Sequence, residues 1–90
     1  MSNYIPLSSM SMDLKRSALG FYKGSDKMAQ RFWAEAMSRK EEIDKSNVPA
    51  YVERLLNSLD GLIKNADKKK AAEDILLYSV LLQNAALKLK

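Results

Sequence analysis

The sequence predicts an all-α fold, a small up-down bundle of four helices with a short first helix and three longer ones. Apolar residues recur at spacings of three and four through most of the chain, the mark of helices with one buried face. Ser, Asp, Gly and Pro gather mainly between those stretches, where helices start and stop. The intervals are short, which favours antiparallel neighbours over long crossovers.

Composition narrows the functions open to such a fold. A chain of 90 residues makes one domain and buries about 60 to 65% of its unfolded surface, too little to enclose a large pocket as well as a core. With 47% hydrophobic and 29% charged residues, two Pro and three Gly, it is globular rather than linker-like. The absence of Cys removes disulfides and thiolate metal sites and points to a reducing compartment. There is no His either, so the commonest general base and the commonest transition-metal ligand are both missing. The opening residues lack the basic and apolar regions of a secretory signal. Ile75 to Leu87, the longest uncharged stretch, falls short of the roughly 20 residues that a spanning helix needs. The expectation is a cytoplasmic protein.

Residues 1–8 show no periodicity, and Pro6 biases Ile5 toward extended backbone, so they read as an irregular arm ahead of a single domain over 9–90. Ser9 or Ser11 caps a short first helix that runs to about Tyr22, with Leu14, Ala18 and Phe21 on one side. Gly20 and Gly24 bracket its end, and either can supply the left-handed residue that closes a helix. Ser25-Asp26 opens the second helix with a capping hydroxyl and a carboxylate that complements the helix dipole. Its apolar arc takes in Met28, Ala29, Phe32, Trp33, Ala36, Met37 and Ile43, and it ends near Asp44 to Ser46.

Pro49 suits the first turn of the third helix, where its missing N–H costs nothing. That helix spans about Val48 to Asn65, with Tyr51, Val52, Leu55, Leu56, Leu59, Leu62, Ile63 and Ala66 in one arc of about 140 degrees. Gly61 falls on the wet side. Asn65 suits a left-handed C-terminal position and Asp67 an N-cap, giving a tight link to the fourth helix.

The fourth helix, about Lys68 to Leu89, carries the longest apolar run. Ala71, Ile75, Tyr78, Leu82, Ala85 and Leu89 alternate steps of four and three, a heptad seam. A second strip of Leu76, Val80 and Leu87 lies on about the opposite flank, with Leu77 and Leu81 among the polar positions. Burying that strip from two chains contributes very roughly 9 to 18 kcal/mol, against an association cost of about 4 to 15 kcal/mol. We therefore expect the fourth helix to be central and to form a homodimer seam or to meet another helical protein. The competing arrangement lays the arm Tyr4 to Leu7, or the first helix, across the strip.

The net charge is +4. In an up-down bundle the first and third links share one end, which then gathers Lys23, Lys27, Lys64, Lys68, Lys69 and Lys70 against Asp26 and Asp67. Cations in a first helical turn oppose its dipole by about 0.3 to 1 kcal/mol each, so this end reads as an anion-facing patch or as a solvated, solubilising turn. Phe21-Tyr22 and Phe32-Trp33 fall at core spacing rather than forming a stacking platform. Glu41, Glu42 and Asp44 lack the loop ligands of a calcium site. No catalytic set, cofactor site or metal site assembles from these residues. The function expected is a small non-enzymatic interaction or regulatory module that docks through Leu76, Val80, Leu87, Leu77 and Leu81. Nucleic-acid binding by the lysine end is the reading from a different class.

Overall fold

The computed structural model describes residues 2–64 and 67–89. Four α-helices follow one another, α1 Tyr4–Tyr22, α2 Asp26–Glu41, α3 Ala50–Ser58 and α4 Lys68–Leu89. Single 3₁₀ turns stand at Lys45–Asn47 and Leu59–Gly61, and no strand occurs among the described residues. The fold is the expected small helical bundle, but the lengths are distributed differently. The first helix has 19 residues and the third only 9, continued by its 3₁₀ turn.

The difference in α1 begins with the stretch expected to be an irregular arm. Pro6 stands third in the helix, where its missing N–H is one of the four that have no helical partner anyway. An apolar row of Leu7, Met10 and Leu14, all fully buried, holds this first part of α1 on the core. Asn3 fastens the start. Its Nδ2 donates to the Asp44 carbonyl and its Oδ1 accepts from the Asp44 N–H, both at 2.9 Å, tying the beginning of α1 to the α2/α3 link.

Gly24 closes α1 with φ of 74°. The Ser25 N–H reaches the Gly20 carbonyl at 2.8 Å and the Gly24 N–H reaches that of Phe21 at 3.2 Å, the paired bonds of a Schellman ending. Gly20 has a different task inside the helix. A Cβ there would stand 2.6 Å from the Ala29 backbone nitrogen, so its lack of a side chain lets α1 and α2 approach closely. Ser17 lies one turn earlier and donates to the Ala29 carbonyl at 2.9 Å. Ser25 caps α2 as expected, accepting from the Met28 N–H at 3.3 Å.

The most extensive packing is α1 with α4 and α1 with α2. The middle position expected for the fourth helix therefore belongs to α1. The reason is that α1 has two usable flanks, Leu7, Leu14 and Ala18 toward the common core and the small-residue row through Ser17 and Gly20 toward α2. Helix α4 keeps its expected bounds, and its capping Asp67 accepts from the Lys70 N–H at 2.7 Å. Its seam residues Ala71, Ile75, Leu82 and Ala85 are buried, with Tyr78 and Leu89 packed against the same core. Val52, Leu56 and Leu59 complete that core from α3 and its 3₁₀ turn. The expectation for Asn65 and Ala66 lies outside the described residues.

Candidate functional site

The second strip of α4 is uncovered. Leu76, Leu77, Val80, Leu81 and Leu87 are all exposed, Leu77 at 55%, Leu87 at 51% and Val80 at 50%. Neither Tyr4 to Leu7 nor the rest of α1 lies across it, because α1 turns Leu7, Met10 and Leu14 into the core instead. Helix α1 runs beside the strip. Ser11 Oγ donates to Gln83 Oε1 at 2.6 Å, and a surface groove of about 500 Å³ follows this contact, with Met12 and Lys15 on one bank and Leu76, Val80 and Asn84 on the other. Of the five predicted docking residues only Leu76 and Val80 line the groove. Leu87 continues their row along α4, while Leu77 and Leu81 are turned about 80 and 120 degrees round the helix from the centre of that row.

One ion pair joins the two links expected to share the lysine end. Lys68 Nζ meets Asp26 Oδ2 at 2.7 Å, which puts the start of α4 beside the start of α2. Lys70 pairs with Asp74 at 3.4 Å along its own helix. Lys23, Lys27, Lys64 and Lys69 are exposed around the same links. Two of the six cations thus have carboxylate partners, and both pairs are open to water, where such pairs contribute about 0 to 1 kcal/mol.

The remaining candidates resolve into structural parts. Trp33 is in the core and Phe21 packs against it, but Tyr22 is exposed and Phe32 stands outside the core, flanked by the guanidinium groups of Arg16 and Arg31 at 5.6 and 5.5 Å from its centroid. Asp44 caps the 3₁₀ turn, accepting from the Ser46 hydroxyl at 2.6 Å, the Ser46 N–H at 3.1 Å and Asn47 Nδ2 at 2.7 Å. Those hydrogen bonds, led by the Ser46 hydroxyl, hold its carboxyl below the ordinary 3.8. Glu42 pairs with Arg39 at 3.2 Å, and Glu41 is exposed.

One feature escaped the pattern reading. Asp13 is a buried carboxylate on the α2 side of α1, 3.5 Å from Arg16. Burial and then Glu35 raise its pKa above 3.8, while Arg16 and Arg39 pull it back down. Its position in the row Met10, Asp13, Ser17, Gly20, at steps of three and four, was the available signal. No family model, no curated protein and no solved structure matches the chain.

Proposed function

We propose that this protein is a small non-enzymatic interaction module of the cytoplasm, acting by protein-protein docking, with a homodimer through α4 as its working form. The observation that supports this is the exposed strip Leu76, Val80 and Leu87 on a helix whose opposite flank is already committed to the core. Contiguous exposed apolar surface marks sites of protein-protein interaction. Light scattering of the wild type beside Val80→Asp tests it. A dimer reduced to monomer by the substitution is expected, and a monomer in both would end the homodimer reading.

A second reading, nucleic-acid binding at the lysine end, is favoured by the Lys68–Asp26 contact that brings the α1/α2 link and the start of α4 together. Electrophoretic mobility shift at two salt concentrations separates it from the first. Phosphate-driven binding weakens steeply as salt rises, and no retardation at low salt would remove the proposal.

A further inference from the structure

We infer that the docking surface is a two-helix face shared by α1 and α4, and that its occupant is the same face of a second copy of this chain. The inference rests on the docking role given to α4 and adds the half contributed by α1. Helix α1 exposes four large apolar side chains, and three of them, Ile5, Met12 and Leu19, stand seven residues apart on one row at 66%, 50% and 40% exposed, with Tyr22 off that row. Seven residues is two helical turns to within about 20 degrees, so the three form a single ridge. Met12 and the α4 residues Leu76 and Val80 line the same groove, so this ridge and the α4 strip belong to one face.

The Ser11–Gln83 hydrogen bond fixes the level of one helix against the other. With α1 and α4 antiparallel and rising about 1.5 Å per residue, Ile5 stands level with Leu87, Met12 with Val80 and Leu19 with Leu76, each within two residues. The face is therefore built as three apolar layers, one at its centre and one toward either end. A two-fold axis through the central layer lays apolar on apolar at every level, which is the self-complementarity an isologous interface requires.

Size and charge point to the same occupant. The six side chains together expose on the order of 500 Å² of apolar surface, toward the top of the range for a patch on a monomer. A stable interface takes roughly 800 Å² from each partner, so these side chains would form the apolar centre of one and the polar groups around them its rim. Lys15 is the one charged side chain among the groove's lining residues, so the groove itself offers an anionic polymer a single cation, while a copy of this chain brings matching apolar layers.

Sedimentation equilibrium on the full chain tests this with three variants, Met12→Asp, Val80→Asp and Leu77→Asp, each checked by circular dichroism for unchanged helix content. The wild type is expected at twice the chain mass of 10.2 kDa. Met12→Asp and Val80→Asp each raise the dissociation constant by about 30-fold or more, the loss that marks a residue at the centre of an interface, and Leu77→Asp leaves the dimer intact. If Val80→Asp dissociates the dimer and Met12→Asp does not, the two-helix face is overturned while docking through α4 stands. Dissociation by Leu77→Asp moves the contact round α4 toward Leu77 and Leu81, away from α1, and also overturns it. A wild type that remains monomeric overturns the inference and the homodimer reading together.

Discussion

Gly20 and Gly61 show how the same residue type takes opposite values within one chain. A Cβ at Gly20 would press on the Ala29 backbone nitrogen at 2.6 Å and its Cα at 2.8 Å. Backbone cannot swing aside as a side chain can, so Gly20→Ala has to spread α1 from α2. The overpacking cost of about 1 to 3 kcal/mol falls at its upper end here and outweighs the roughly 1 kcal/mol gained in helix propensity. At Gly61 nothing lies within 4 Å of the added atom, and the backbone has ordinary negative φ. Gly61→Ala is expected to stabilise by about 0.4 to 1 kcal/mol through lost freedom of the unfolded chain. Denaturant unfolding of the two variants beside the wild type should displace the midpoint in opposite directions.

Asp13 supplies a pH-dependent counterpart. Its carboxyl titrates above the ordinary 3.8 because burial, and then Glu35, disfavour the charge more than Arg16 and Arg39 favour it. The folded protein therefore binds this proton more tightly than the unfolded chain does, and stability from this group falls as pH rises from 3.8 through the folded value. Wild type should gain on Asp13→Asn as pH is lowered from 7 toward 4, measured as the difference in unfolding free energy. A difference that stays constant with pH would show that the carboxyl is not perturbed. Asp44 acts in the opposite sense. Its lowered pKa gives a contribution present above pH 3.8 and lost as the solution is acidified below that value.

Among the helices, α4 was the most legible in the sequence and α1 the least. Helix α4 has a capping Asp67, a long heptad row and no Gly or Pro inside it, so local chemistry and tertiary packing agree on its limits. In α1 the local signals at Pro6 and Gly20 both argue against helix, and tertiary contacts override them. Leu7 and Met10 are buried by other elements, and the Asn3–Asp44 clasp spans 41 residues of sequence, a distance that no periodicity count can reach. Helix α3 ended earlier than its apolar arc, because the amphipathic pattern runs on unchanged through a 3₁₀ turn at Leu59–Gly61. The exposed strip on α4 could be read beforehand. Its continuation on α1 could not, since the row Ile5, Met12, Leu19 crosses the stretch that looked irregular.

The start of α4 also carries a prediction. Lys68, Lys69 and Lys70 occupy its first turn, where cations oppose the helix dipole by about 0.3 to 1 kcal/mol each. The Lys68–Asp26 and Lys70–Asp74 pairs are exposed and return no more than about 1 kcal/mol each. Replacing all three with Gln should leave stability unchanged or slightly raised in thermal unfolding, and a marked loss would show that these contacts hold the α4 start in place.

For the molecule as a whole, the assembly proposal makes stability a function of concentration. A fold that buries part of its apolar surface only in a dimer gains from mass action. The thermal midpoint of the wild type should rise with protein concentration and that of Val80→Asp should not. A midpoint independent of concentration in both would place the whole stability within one chain. Among the described residues no helix is long and apolar enough to cross a membrane.

The three-residue link between α1 and α2 sets the order in which the molecule assembles. Helices α1 and α2 meet through neighbours in sequence, such as Ser17 with Ala29, whereas α4 reaches α1 across 72 residues between Ser11 and Gln83. Closing a short loop costs less entropy than closing a long one, so the hairpin forms early and α4 arrives late. In stopped-flow measurements Gly20→Ala should then slow refolding, while Ile75→Ala should chiefly hasten unfolding.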